Sequence, residues 1–200
     1  MMSTYYFEGS PILAPLMFKS TDVVISSETA NLKTLIHKTD AQRWDLSFGI
    51  VADNNEANIL TAMIENSYTV KSMEMPQLKS VADLTTLTGQ LTTSQAYAAG
   101  SSTIIATNTS GGLLPKGSFI QFANHSKIYI IKEDWAANKN PIVIYPNLRL
   151  AVNIGTQVNY FGFFNPPIFN YLRDDNEVSG ITYQDGILAS IGTITLKEAL

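Results

Sequence analysis

The chain contains no cysteine. That removes disulfides, thiolate metal sites, cysteine nucleophiles and thiol redox switches together, and it fits a protein made in a reducing compartment. Charge is sparse as well. Asp, Glu, Lys and Arg make up 15% of the 200 residues, against roughly 25% in ordinary soluble domains. With 13 basic and 17 acidic side chains, a net charge of −4 and a pI near 5.1, the chain lacks the cationic surface that neutralising many phosphates requires. A disordered acidic tail is excluded, because such segments need high charge and few aromatics, and 10% of this chain is aromatic. No run approaches the roughly 18 apolar residues of a membrane span. The opening MMSTYYFEGSP lacks the basic and apolar regions of a secretory signal. These absences lead us to expect a soluble, mainly β protein without membrane insertion. The length allows one domain or two small ones.

What is present is rich in Ser, Thr and Asn. Such a surface hydrates without strong electrostatic repulsion. It suits a subunit packed among others, and it is also common in ordinary β-sandwiches. Near the start, Tyr5–Phe7, Ile12–Phe18 and Val23–Ile25 form short apolar runs punctuated by Pro11 and Pro15. Proline cannot donate to a ladder, so these two mark strand ends or a sheet edge. Residues 29–38 are ambiguous: Leu32, Leu35 and Ile36 fit one helical face, yet a loop or strand is equally compatible. The clearest strand is Arg43–Val51. There Trp44, Leu46, Phe48 and Ile50 alternate with Arg43, Asp45, Ser47 and Gly49, as a half-buried antiparallel strand requires. A helix is expected over 53–66, with Asp53 and Glu56 as a capping box and Ala57, Leu60, Met63 and Ile64 at helical spacing. Residues 67–75 alternate again and Pro76 closes that strand.

From Gln77 the texture changes. Residues 79–102 are dominated by Thr, Ser, Ala and Gly. Short β-branched runs follow at 102–107, 118–122, 127–132 and 141–145. They are separated by Gly111-Gly112, Pro115-Lys116-Gly117, Asn124-His125-Ser126 and Asn138-Lys139-Asn140, all turn-forming sequences. Close-spaced short strands imply a small antiparallel barrel or sandwich, placed at 78–150. The first texture then returns, with aromatic Tyr160, Phe161, Phe163 and Phe164, a break at Pro166-Pro167, and one or two strands in 180–196. The last strand is expected to rejoin the sheet begun near the N-terminus. The fold class that follows is mainly β, a β-rich α+β protein. A β-sandwich domain with one helix (1–77 plus 151–200) is interrupted by a small OB-like antiparallel β-barrel domain (78–150).

Chemistry is hard to find. The only two histidines, His37 and His125, belong to no His-x-x-x-His or His-Glu pair, so no zinc pattern exists. His125 lies in an expected hairpin turn. No Gly-x-Ser-x-Gly elbow appears, although a Ser/His/Asp triad assembles only in space. Asp174-Asp175-Asn176-Glu177 offers oxygens to a hard cation but lacks calcium-loop spacing, and reads as a solvated loop. Gly111-Gly112 is followed by Leu-Leu-Pro rather than Gly-Lys-Ser/Thr, which gives no phosphate cradle. Trp135, after Glu133 and Asp134, either stacks on a sugar or base or plugs a barrel end. The aromatic run 160–164 is a ligand wall or, by the commoner use of such residues, core or subunit interface. No catalytic, cofactor or metal residue is therefore assigned.

One ordered set of motifs is distinctive. Gly117-Ser118-Phe119-Ile120-Gln121-Phe122 precedes His125, then Lys127-Ile128-Tyr129-Ile130-Ile131, Asp134, and Ile142-Val143-Ile144-Tyr145-Pro146-Asn147-Leu148-Arg149. Upstream stand Gln42-Arg43-Trp44, the expected helix and the strand ending near Pro76. Over residues 42–164 this order resembles the distal-tail or baseplate-hub proteins of long-tailed bacteriophages. Those carry a G-D-x-I-Q-I strand, an H-x-V-Y-x-V strand and an I-x-P-x-L-R strand, after a Q-R-W strand and a helix. Ser118 stands where that family usually has Asp, and a Thr/Ser/Ala stretch replaces its Gly-rich one. The resemblance implies a non-enzymatic virion subunit, assembled in the host cytoplasm. It would form a homo-oligomeric ring, often hexameric, between the tail tube protein and the tape measure, baseplate and tail-fibre proteins. One domain would line the ring and resemble the tube protein, with a small OB- or galectin-type barrel outside it.

A ring subunit needs two unlike patches, because head-to-tail contacts close only at the right rotation. Sheet edges pairing across subunits would also hide exposed edges. A bore that passes DNA should not grip it, so Asp and Glu are expected to face the channel. Two other classes compete. A carbohydrate-binding β-barrel module would use Trp135 or Tyr129 as a stacking platform for host glycans, and needs that aromatic exposed. A hydrolase would need a cleft holding a perturbed carboxylate or histidine.

Overall fold

A computed structural model describes residues 6–7, 10–28, 31–50, 69–162, 165–173, 181–184 and 187–200. It opens with a short strand, β1 (Tyr6–Phe7), two long ones, β2 (Ser10–Glu28) and β3 (Thr34–Ile50), and β4 (Lys71–Glu74). The helix α1 (Lys79–Leu84) follows, then β5 (Leu91–Thr93), β6 (Thr103–Ile104), β7 (Ala106–Asn108) and β8 (Leu113–Leu114). Next come β9 (Phe119–Phe122), β10 (Ile128–Ile131), β11 (Trp135–Ala136), β12 (Ile142–Tyr145) and β13 (Val158–Tyr160). The chain ends with β14 (Ile168–Arg173), β15 (Ile181–Gln184), β16 (Ile187–Ile191) and β17 (Ile194–Glu198). The protein is mainly β with antiparallel sheets, as the alternating patterns imply. The helix expected at 53–66 and the acidic loop 174–177 lie outside the described residues. So do Phe163 and Phe164. Of the ambiguous segment 29–38, residues 34–38 are strand.

The chain divides into two compact units. The first comprises Met1–Thr21, Arg43–Met73 and Asn170–Ala199, and the second Asp22–Gln42, Glu74–Phe169 and Leu200. Strands β2 and β3 therefore run from one unit into the other. A six-stranded sheet has the order β1-β2-β3-β17-β14-β4, so the last strand does rejoin the sheet begun near the N-terminus.

In the first unit the alternation of β3 does what period two dictates. Trp44, Leu46, Phe48 and Ile50 are buried. Opposite them β17 supplies Leu196 against Leu46 and Ile194 against Phe48, also buried. Phe7 meets Phe48 edge-on at 5.3 Å between ring centroids and Tyr171 at 6.1 Å. Asp45 departs from the alternation, being buried on the polar face. Its carboxylate accepts from Arg43 Nε at 3.0 Å and Thr21 Oγ1 at 2.5 Å, and such partners offset the cost of removing a charge from water. Glu198 is likewise buried and accepts the Trp44 backbone N–H at 2.9 Å. Ser47 and Thr195, directly opposite in register, join their hydroxyls at 3.1 Å.

The second unit is built on a five-stranded sheet ordered β13-β9-β10-β12-β6, flanked by the two-stranded ribbons β11-β8 and β5-β7. The expected short strands and the turns between them are all present. No sheet closes into a barrel among the described residues, which corrects the barrel expectation. Between β5 and β13 a single bridge, Thr92 to Gln157, stands in place of a ladder. Thr93 explains part of this: its hydroxyl donates to Asn153 O at 2.6 Å and its N–H to Thr156 O at 3.0 Å, so side-chain and loop bonds replace strand pairing. The core gathers Leu91, Ile104, Leu114, Phe122, Trp135 and Tyr160 with their neighbours. Gly112 is required at its turn, since φ is +116° and a Cβ there would lie 2.5 Å from Thr86 O.

Burial sets the expected mutational costs. Phe48→Ala empties a site only 1% exposed and should cost about 4 kcal/mol in a urea titration. Val24→Ala, on the exposed stretch of β2, should stay within about 0.5 kcal/mol. Equal costs at both positions would contradict this assignment of the core.

Candidate functional site

Trp135, Tyr129, Asp134 and Tyr160, all singled out for chemistry, turn out to hold the fold. Trp135 is fully buried and donates its indole N–H to Asn140 O at 2.6 Å. Tyr129 is fully buried too. Neither can stack on a sugar, so the glycan-binding reading loses both of its platforms. Asp134 accepts the Lys116 backbone N–H at 2.8 Å, which closes the Pro115-Lys116-Gly117 turn. Tyr160 is core rather than ligand wall. Its hydroxyl donates to Gly89 O at 2.7 Å, and burial pushes its pKa up to about 12. The backbone of His37 lies in β3. Among the described residues no three His, Asp or Glu side chains gather where they could hold a metal ion.

His125 was expected in a solvated turn and is instead half-buried within a directed hydrogen-bond chain. The Arg149 backbone N–H donates to the Tyr129 hydroxyl at 3.0 Å, and that hydroxyl lies 2.8 Å from His125 Nε2. Nδ1 lies 2.9 Å from Asn124 Oδ1, while Asn124 Nδ2 donates to Ala151 O at 2.9 Å. Asn124 thus offers only its carbonyl oxygen to the ring. This network assigns the proton to Nδ1 and leaves Nε2 to accept from Tyr129. The ring also stacks on Phe122 at 5.8 Å. Burial first, and the nearby Lys127 ammonium second, lower the His125 pKa from 6.5 to about 4. A neutral imidazole with no carboxylate in its chain is a clasp between the β9–β10 turn and residues 149–151. Nothing in it activates a nucleophile.

Gln121, in the same motif, has a comparable task. Its side-chain amide brackets the Ile168 backbone, Nε2 donating to Ile168 O at 2.9 Å and Oε1 accepting from Ile168 N at 3.0 Å. Nε2 also reaches Ser126 O at 2.8 Å. Ser118 is 2% exposed and its hydroxyl has no partner among the described residues. An Asp there would put a carboxylate at a buried position.

Two surface features remain. One is an open groove of about 370 Å³ in the second unit, lined by Ser94, Ile105–Thr107 and residues 138–141. Its walls are fixed: Asn138, held at φ +61°, brackets the Asn108 backbone with bonds of 2.9 and 3.0 Å. The other is the ribbon formed by the far parts of β2 and β3. Residues 22–28 and 31–35 are exposed on both faces, including Val23, Val24, Ile25, Leu32 and Leu35. β1 covers the outer edge of β2 only at Ser10 and Pro11. Beyond them that edge faces no strand among the described residues, and β4 forms the opposite edge of the same sheet. Sequence reading missed the ribbon, although the exposed side chains were visible as apolar runs.

No protein-family model matches the chain, and no curated protein does. No helix among the described residues is long and apolar enough to cross a membrane.

Two outcomes follow from the buried polar groups. The folded state disfavours protonated His125, so between pH 6.5 and about 4 the unfolded state binds the extra proton. Stability is then full above pH 6.5 and falls as the pH drops towards 4. The melting temperature should decline over this window more steeply in the wild type than in His125→Gln, and parallel slopes would count against the clasp. Ser118→Ala removes an unsatisfied hydroxyl and should leave stability unchanged or raise it by up to about 1 kcal/mol. A loss of 2 kcal/mol or more (about the cost of a broken buried bond) would reveal a missing partner.

Proposed function

We propose that this chain is a structural, non-enzymatic subunit of a bacteriophage tail tip. In this reading it forms a distal-tail or baseplate-hub ring that joins the tail tube to the baseplate or receptor-binding apparatus. The observation that carries the reading is the β2–β3 ribbon. A two-stranded ribbon exposed on both faces is marginal in water on its own, so one with Val23, Val24, Ile25, Leu32 and Leu35 exposed calls for a neighbour. The open sheet adds support. The outer edge of β2 and the edge strand β4 are unlike, and pairing one with the other on the next copy is a head-to-tail contact. Such contacts close into rings when the rotation between neighbours is right, and the pairing hides backbone groups that otherwise recruit wrong partners. The ordered motifs of residues 42–164 resemble those of that family, and the resemblance would bring the remaining partners: the tail tube, tape measure, baseplate and fibre proteins. DNA would pass the bore without specific binding, in keeping with the net charge of −4. The site of assembly would be the host cytoplasm, and the final location the virion tail.

Native mass measurement and electron microscopy of the purified chain test this. Annular particles with a single copy number, alone or on addition of the tail tube protein, are the expected outcome. A chain that stays monomeric in both conditions overturns the proposal.

A further inference from the structure

We propose that the tip of the β2–β3 ribbon of one copy seats in the groove lined by Ser94, Ile105–Thr107 and residues 138–141 of the next copy. This rests on the ring reading and names the contact through which copies would join. Tip and groove both belong to the second unit, and they are unlike surfaces, so their contact is heterologous and propagates around a cycle.

The tip looks built for a partner. Leu32 holds a left-handed backbone, φ +59°, while 79% exposed. That region is strained for a leucine, and its side chain gains little burial in return. Val23, Val24, Ile25 and Leu35 are exposed apolar residues of the same ribbon, Val24 on the opposite face from Val23 and Ile25. The groove offers the complement: a rigid opening whose apolar part comes from Ile105, 48% exposed, and Pro141. Charge matches as well. Lys139 stands at the groove and Glu28 at the end of β2, and neither has an ionic partner among the described residues. The ribbon is held where it needs to be steered, because the Tyr145 hydroxyl donates to Asp22 Oδ1 and Oδ2 at 2.8 and 3.0 Å. Its tip remains uncovered.

The absence of cysteine makes the contact directly testable. Full-length Glu28→Cys and Lys139→Cys chains, carrying tags of different size, are mixed and oxidised. A disulfide-linked heterodimer is expected, and a Glu28→Cys with Lys116→Cys mixture, whose second site lies at another turn, should give none. Ile105→Asp, a surface change checked by circular dichroism, should weaken self-association at least about tenfold, as loss of a central apolar contact does. Glu28→Lys and Lys139→Glu should each weaken it and together restore it. If the chains form rings but the cross-link is no stronger than the Lys116→Cys control, or Ile105→Asp rings assemble normally, the docking is wrong and the ring reading survives. Chains that never self-associate, with or without tail tube protein, overturn both.

Discussion

The exposed apolar side chains along the far parts of β2 and β3 are the constraint on which the rest of this protein depends. Each strand of a sheet offers backbone groups on two edges, and water or another strand must satisfy them. In the first unit this demand is met on the inner side of β3, where β17 locks Leu46 and Phe48 into the core. Farther along, the same two strands leave that support and continue with side chains exposed on both faces. Strands of 19 and 17 residues thus join a packed anchor to a stretch whose side chains at 22–28 and 31–35 are exposed and whose Asp22 accepts hydrogen bonds from Tyr145.

Residues 74–169 of the second unit are braced by polar joints. Its most suggestive side chains are spent on internal joints. Gln121 imitates a neighbouring strand for Ile168, Asn138 does the same for Asn108, and the Arg149, Tyr129, His125 and Asn124 chain ties a turn to a distant loop. Where sheets stay open, amides of this kind close gaps that a barrel would close by pairing. Trp135, Tyr160 and Asp134 are committed to backbone partners, and His125 to the side chains of Tyr129 and Asn124. Groups ordered in advance lower the entropic cost of any contact made on them.

Much of this was legible beforehand. The strand 43–51 was readable because one face is buried, and burial enforces alternation. The short strands 118–145 were readable from their turns, since Gly117 and Asn138 occupy left-handed backbone that few other residues tolerate. The continuity of β2 was harder to see, as Pro11 and Pro15 suggested either strand ends or an edge. The strand runs through both, Pro11 opposite Tyr6 of the two-residue strand β1. Helix α1 left no trace: its N-cap is Leu78, without a side-chain bond, and neither terminal turn carries a complementary charge. Tertiary burial of Val81 holds it. The polar joints were invisible for a different reason. A hydrogen bond from Gln121 to Ile168 spans 47 residues, and no local pattern encodes such a pairing.

An exposed apolar ribbon can be a docking element or an aggregation hazard, and the two differ in how the edges are guarded. Unprotected edges pair with any strand. Here the outer strand carries Pro15, which cannot donate, and the exposed charges Lys19, Asp22 and Glu28, with Lys33 just before the returning strand. Charges of both signs on a ribbon penalise stacking in arbitrary register, since a slip moves each side chain to the wrong neighbour. They penalise it less for a partner whose own charges are fixed in a complementary place. Asp22 adjoins Val23 and Lys33 adjoins Leu32, so each exposed apolar stretch is bounded by a charge, which favours contacts of one register over indiscriminate stacking.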